Sequence, residues 1–427
     1  MRLVNKLYDL ELLSDEVEEE VQVFYRQIDK IALANHGKVL DAFRAARVSE
    51  YHLKGSTGYG YGDAGREALE EVYARVFHAE KALVRNQIVS GTHAIALCLY
   101  GVLRPGDELL AVQGQPYDTL GAIIGIRDNA SGSLKDLMVS YKQVEPTPEG
   151  GIDYDRVDQA LCDKTKMVLL QRSCGYGAGK PLSIKELKGI IEYIRQRNPE
   201  TVIFVDNCYG EFVEEEEPID AGADLAAGSL IKNPGGGVAP TGGYVVGREK
   251  YVNMAANRWS APGIGSEVGP SADNQRLFFQ GLYLAPHIVA EAIKGSIFTA
   301  RFFEKLGYEV LPMFNEQRYD LVQLIKLGTQ EKVLAFCRGL QAASPVDSYV
   351  RPEAQPMPGY GDPVVMAAGT FVQGASLELS ADGPLREPYN VYVQGGLSKE
   401  YVRLAIISAA REIMNTVLPD SSDNPGY

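Results

Sequence analysis

The chain has 427 residues, 45% hydrophobic and 23% charged, the composition of an ordinary globular protein and too long for one core of typical size. Its formal net charge of −14 argues against a nucleic-acid partner, which would be held by basic patches. Five scattered cysteines (Cys98, Cys162, Cys174, Cys208, Cys337) contain no CxxC pair, and with five histidines they outline no metal cluster.

The opening MRLVNKLYDLELLSDE lacks the apolar core of a secretory signal, and no run approaches the ~18–20 apolar residues of a membrane span. A reducing cytoplasm is the expected compartment. Residues 1–50 read as two helices, broken near His36-Gly37. A glycine- and tyrosine-rich loop follows at 55–65, and REALEEVYARVFH resumes helical periodicity.

From about residue 80 to 250 short apolar runs alternate with helical segments. ALVRNQIVS, ELLAVQ, LKDLMVSYKQVE, KMVLLQRS, TVIFVDN and GGYVVG read as strands. GTHAIALCLYGVL, DYDRVDQALCD and SIKELKGIIEYIRQR read as helices. That order predicts an α/β fold with a mainly parallel sheet covered on both faces, and ligands at the carboxyl ends of its strands. One long helix should end at Gly307, where we draw a domain boundary. The expected organisation is an N-terminal helical segment 1–50, a large α/β domain 51–306 and a small C-terminal α+β domain 307–427. In the last, VVMAAGTFVQGASLELS and YNVYVQGG are expected to pair, and EYVRLAIISAAREIMNTVL to begin as a strand and end as a helix.

The densest chemistry lies in VIFVDNCYG and AAGSLIKNPGGG. Asp206 and Lys232 each follow an apolar run, 232 − 206 = 26 positions apart. An amine and a carboxylate on neighbouring strand ends suit pyridoxal 5'-phosphate: the lysine forms a Schiff base with the aldehyde, and the aspartate keeps the ring nitrogen protonated. Taken singly, Lys232 could equally be a surface lysine before a turn and Asp206 an Asx cap. Ser229 offers a hydroxyl to a phosphate oxygen. Ser90-Gly91-Thr92 precede a helix whose first N–H groups and dipole suit a phosphate, as well as forming an ordinary N-cap. Tyr117, just past the next strand, suits ring stacking and proton transfer, or simple packing.

The loop Gly58–Gly65 contains a literal GxGxxG, but the strand before it and the acidic residue after it are missing, which excludes a dinucleotide fingerprint. A tyrosine-bearing loop that reaches a phosphate is the better reading. Arg403, set among apolar residues in YVRLAI, needs a partner. A substrate carboxylate or a structural salt bridge would serve. EFVEEEEP reads as a solvated face.

Ser-Gly near 90, Tyr117, VDN at 205–207, SxxK at 229–232 and VRL at 402–404 resemble, in that order, the cystathionine/methionine lyase group of fold-type-I pyridoxal phosphate enzymes. VDNCYGEFVEEEEP, SLIKNPGGGVAPTGGY and the glycine–tyrosine loop are most similar to its methionine gamma-lyase-like, or aluminium-resistance, branch. The resemblance implies a seven-stranded, mainly parallel sheet in the large domain. It makes Lys232 the Schiff-base lysine, Asp206 the ring-nitrogen partner, and Gly91, Thr92 and Ser229 phosphate ligands. Tyr117 becomes the stacking and proton-moving aromatic, Tyr59 a phosphate ligand for a neighbouring subunit, and Arg403 the holder of the substrate α-carboxylate. It further implies a homotetramer of tight dimers and a carbon–sulfur lyase that releases a thiol, an α-keto acid and ammonia from a sulfur amino acid. The same cofactor serves transaminases and aldolases, and a cofactor-binding, stress-linked protein with little catalysis is a third reading. Three places depart from the group. Tyr61 stands where an arginine is usual, with Arg66 as a possible substitute. Ile231 precedes the lysine instead of a hydroxyl residue. RSCGYGAGKP replaces the substrate-side loop.

Overall fold

The computed structural model describes residues 2–127, 131–173, 175, 180–357 and 361–417. In chain order the first elements are α1 (Arg2–Ala45), α2 (Ala64–Val76), β1 (Lys81–Arg85), α3 (Gly91–Val102), β2 (Glu108–Ala111), α4 (Asp118–Ile124), β3 (Ser140–Gln143) and α5 (Tyr154–Ala160). Then come β4 (Thr165–Gln171), α6 (Ile184–Arg197), β5 (Val202–Asp206), β6 (Leu225–Ser229), β7 (Gly243–Gly247), α7 (Glu249–Trp259) and α8 (Gln275–Lys305). The chain closes with β8 (Glu309–Leu311), β9 (Gln323–Lys326), α9 (Gln330–Ala342), β10 (Val364–Ala367), β11 (Ser380–Pro384), β12 (Asn390–Gln394) and α10 (Lys399–Val417).

Two compact units result, one of Asp29–Ala290 with Arg318–Asp320, the other of Met1–Ile28, Glu291–Gln317 and Leu321–Tyr427. This differs from the expected boundaries near 50 and 306. Both long helices are continuous and contribute residues to each unit, so the division falls inside α1 and α8.

In the larger unit seven strands run in the order β1-β7-β6-β5-β4-β2-β3. β2 to β6 pair in parallel, and β7 alone runs against the rest. The mainly parallel seven-stranded sheet is borne out. Its strands are buried at successive positions: Leu83 and Val84, Leu169 and Leu170, Phe204 and Val205, Val245 and Val246 are all at most 2% exposed. Side chains alternate between faces along a strand, so both faces are covered, as a parallel sheet requires. One layer packs Leu83, Leu109, Leu169, Phe204, Leu225 and Val245 under apolar residues of α3 and α7. β6 carries small residues, Ala226, Ala227 and Gly228, and its apolar signal in the sequence is correspondingly weak.

The expected break at His36-Gly37 is absent; α1 is one helix of 44 residues. A solitary glycine costs a helix only about 1 kcal/mol. Its neighbours repay this by anchoring: Asn35 Nδ2 donates to the carbonyls of Phe212 and Glu214, and Lys38 Nζ to that of Glu215.

The smaller unit holds an antiparallel sheet of order β10-β11-β12-β9-β8, and the α+β expectation stands. Of the run that begins at Val364, only its last residue, Ser380 at the start of β11, pairs with β12, which otherwise pairs with β11 beyond that residue and with β9. α9 and α10 approach closely: a Cβ on Gly339 would lie 2.6 Å from Ala409 Cα. EYVRLAIISAAREIMNTV is helical throughout, with no strand at its start.

Candidate active site

Register places three strand ends side by side. Gln171 at the end of β4 faces Asp206 at the end of β5, and Asp206 faces Ala227 of β6, which ends at Ser229. Lys232 lies three residues past that end, before a short 3₁₀ turn at Asn233–Gly235, not at the close of the strand itself.

The N-terminus of α3 comes to the same edge. Ser90 caps it, its Oγ accepting from the His93 N–H at 3.0 Å. A Cβ on Gly91 would lie 3.2 Å from Cys208 Sγ and 3.4 Å from Ser229 Cβ, so glycine there lets the helix end approach β6. The first N–H groups of a helix have no intrahelical acceptor and favour an anion. Thr92 Oγ1 is 3.1 Å from Thr119 Oγ1 in the first turn of α4, which joins Gly91-Thr92 to the turn that carries Tyr117. The Tyr117 N–H donates to Gln171 Oε1 at 3.2 Å, and Gln171 is oriented in turn through Gln113 Oε1, which accepts its N–H at 2.8 Å. A Cβ on Gly175 would meet the Tyr117 ring at 2.8 Å. Of the substrate-side segment RSCGYGAGKP, residues 174 and 176–179 lie outside the described residues.

Asp206 is 8% exposed. Its Oδ1 accepts the Cys208 N–H at 3.1 Å, and its carboxylate makes no other hydrogen bond to a backbone, nitrogen or oxygen group among the described residues. Burial raises its pKa above the ordinary carboxylate range, against the opposing pull of the Lys232 charge. The Lys232 ammonium sits over the Tyr209 ring, 4.0 Å from its centroid. Burial disfavours its charge, but the acidic groups of Cys208, Tyr209, Asp206 and Glu211 outweigh that, and its pKa lies above the usual lysine range. Ser229 is buried, and its hydroxyl has no hydrogen-bond partner among the described residues.

Gly91, Thr92, Tyr117, Asp206, Ser229 and Lys232 are thus linked through contacts at one sheet edge. Tyr59 is not part of that set within the chain. Its ring is 74% exposed and leans on Tyr61 at 5.6 Å between centroids. The loop beneath it is pinned by Arg66, buried, which donates to the carbonyls of Gly60, Gly269 and Glu267. Arg66 is therefore spent on backbone and does not supply the charge missing at Tyr61.

Arg403 has structural partners within the chain. It lies on α10, where its Nε donates to Ser14 Oγ at 2.6 Å and its Nη2 pairs with the Asp15 carboxylate. The local VRL pattern is that of a helix facing α1, not of a strand presenting an uncommitted guanidinium. EFVEEEEP is solvated only in part: Glu215 and Glu216 are exposed, whereas Glu211 and Glu217 are fully buried. Gln171, Tyr209, Glu211 and Tyr244 were missed from sequence. The only signal was the unusual length of the acidic, aromatic run after Asp206.

The profile of the family described as Methionine gamma-lyase matches residues 10–414. The uncharacterized protein YnbB of Bacillus subtilis (strain 168) is 51% identical over 405 residues, 94% of this chain and 96% of that one. Among solved structures, a carbon-sulfur lyase involved in aluminum resistance from Clostridium novyi NT is 44% identical, with a TM-score of 0.92, over 96% of this chain and 98% of that one. A protein provisionally described as a cystathionine beta-lyase involved in aluminum resistance, from Listeria monocytogenes, is 50% identical with a TM-score of 0.92, over 94% of this chain and 100% of that one. With the profile and these relatives each spanning nearly the whole chain, the protein belongs to the methionine gamma-lyase family.

Proposed function

We propose that the protein is a pyridoxal-phosphate-dependent carbon–sulfur lyase that eliminates a thiol from the β- or γ-carbon of a sulfur amino acid, leaving an α-keto acid and ammonia. The observation that carries this reading is the pair at the sheet edge: the Lys232 amine has no hydrogen bond or ion pair among the described residues, and the near-buried Asp206 carboxylate acts on it electrostatically.

The residues present fit the cofactor. Gly91 leaves a cradle between Cys208 and Ser229 that a Cβ would fill, and the Ser229 hydroxyl and the first N–H groups of α3 suit a phosphate. Asp206 retains acceptor capacity for a ring N–H. Tyr117, at the first turn of α4, would lie against the ring face. When bound, pyridoxal phosphate supplies an aldehyde that condenses with an amine and a pyridine ring that draws electrons from the substrate α-carbon.

The chain's own groups then have defined work. Lys232 Nζ, in its neutral form, would take the substrate α-proton. Asp206 would hold a proton at the ring nitrogen, and its burial would strengthen that interaction. The Tyr117 hydroxyl moves a proton to the departing sulfur. A second copy of the chain is proposed to supply Tyr59, whose exposed ring suits such a reach. The free thiols of Cys98, Cys162, Cys208 and Cys337 suit a reducing, cytoplasmic setting.

The test is the visible spectrum of the purified protein, followed as cystathionine, methionine and cysteine are added in turn. The expected result is a yellow band that shifts with one of them, with ammonia and a keto acid as products. A requirement for an amino acceptor would indicate transamination instead. No band after adding pyridoxal phosphate would overturn the proposal.

A further inference from the structure

Glu211 follows β5 by five residues and is fully buried. Its Oε1 accepts the Tyr244 hydroxyl at 2.7 Å, while its Oε2 is buried without a hydrogen-bond partner. Its main chain is tied to the lysine turn: the Glu211 carbonyl accepts from Nδ2 of Asn233, the residue after Lys232, at 2.9 Å. Space for the carboxyl is made by Gly228, where a Cβ would lie 2.6 Å from Glu211 Oε1.

Glu217 provides the contrast. It is equally buried, but its Oε1 accepts the Phe212 N–H at 2.9 Å, its Oε2 accepts Asn207 Nδ2 at 3.2 Å, and the Lys38 ammonium stands 3.9 Å away. Both Glu217 oxygens are thus served by hydrogen bonds. Glu211, with one side-chain donor and a bare buried oxygen, is better satisfied as the acid. Burial is the largest influence and pushes its pKa up to about 8; the Tyr244 hydrogen bond and one from its own backbone N–H oppose it, Glu217 adds to it, and the Lys232 charge opposes it. The titratable groups that face Glu211 are Tyr244 on β7, Tyr73 on α2, Cys208, Glu217 and Lys232.

We propose that Glu211 is a positioning residue for Lys232: a buried carboxyl, anchored by Tyr244, whose protonation sets the pH at which the Lys232 nitrogen carries charge. As the acid it leaves the lysine nitrogen with Asp206 as its nearby buried anion. As the carboxylate it adds a second anion and favours the charged nitrogen. Glu211 itself touches neither substrate nor cofactor in this role. The inference rests on the lyase reading for the identity of Lys232 as the cofactor lysine.

Infrared difference spectra of the protein, with and without cofactor, taken through the pH range around 8, give one readout. Wild type should show the carbonyl stretch of a protonated carboxyl that fades with rising pH. Glu211→Gln should lack it. Tyr244→Phe, which removes a hydrogen bond to the anion, should keep it to higher pH. The second readout is the pH midpoint of the visible band of cofactor held at Lys232. Glu211→Gln should lower that midpoint by roughly one pH unit, because an anion that favours the charged nitrogen is lost. A stretch that survives in Glu211→Gln, or a midpoint that does not move, overturns the proposal. A protein that never gains a visible band overturns the lyase reading instead, and the two failures are told apart because the infrared titration needs no cofactor.

Discussion

The Lys232 amine stands 4.0 Å from the centroid of the Tyr209 ring, and the flat aromatic face stands in for the hydrogen-bond acceptors that a half-buried ammonium usually finds. With its pKa raised, the free amine is almost entirely charged near neutrality. Capture of an aldehyde needs the neutral amine. The rate of pyridoxal phosphate uptake should therefore rise about tenfold per pH unit until the lysine titrates. Stopped-flow absorbance over a pH series checks this, and a flat profile would contradict the raised pKa. Lys232→Ala should show no covalent attachment and lose turnover by at least ~10³-fold.

Asp206 should matter for turnover more than for attachment. Asp206→Asn keeps the side-chain volume and the acceptor for the Cys208 N–H, but removes the charge expected to oppose a protonated ring. We expect the visible band to form and kcat to fall by ~10²-fold or more, the size of losing one preorganised electrostatic partner. Equal kcat in the two proteins would remove Asp206 from the chemistry.

The paired strand ends were legible because Asp206 and Lys232 each follow an apolar run and carry chemistry unusual for a turn. The parallel sheet was legible because strands buried on both faces read as continuous apolar runs. β6 itself was harder: its Ala-Ala-Gly core has little hydrophobic signal, and the residues flanking it drew attention first. The intact α1 was missed because the bonds that hold Asn35 and Lys38 reach residues 212–215, a separation no local pattern encodes. The start of the last helix was misread because YVRLAI suits a strand or a helix equally, and a short apolar run cannot decide between them. Glu211 was hidden within an acidic run whose exposed members dominate its composition.

The two readings of Arg403 are separable by experiment. Its ion pair with Asp15 is partly solvent-exposed, so Arg403→Ala should cost no more than ~1 kcal/mol. KM for a substrate identified by the visible titration should stay within about twofold, since ~1.4 kcal/mol of lost binding would already change it tenfold. A tenfold rise in KM at unchanged stability would restore the carboxylate-binding role.

Gly228 tests the packing beneath the lysine. Its missing Cβ would lie 2.6 Å from Glu211 Oε1 and 2.7 Å from Tyr244 Cε1. Gly228→Ala should destabilise the protein by about 1–3 kcal/mol, the usual cost of overpacking a filled core. Denaturant unfolding measures this; a neutral result would mean that Glu211 and Tyr244 can separate freely.

Glu211 also leaves a mark on stability. Its folded pKa is about 8 against an ordinary value of 4.5, so between those limits the folded protein binds a proton that the unfolded chain has released. The stabilisation this provides is complete below about pH 4.5 and is lost progressively as pH rises to about 8. Glu211→Gln keeps an acceptor for Tyr244 but has no proton to lose. The difference in Tm, variant minus wild type, should therefore grow in the variant's favour through that window and level off above it. Thermal melts at matched ionic strength over the same range measure it. A difference that stays constant with pH would mean that Glu211 is ionised in the folded protein throughout, and its proton-holding role at Lys232 would fall with it.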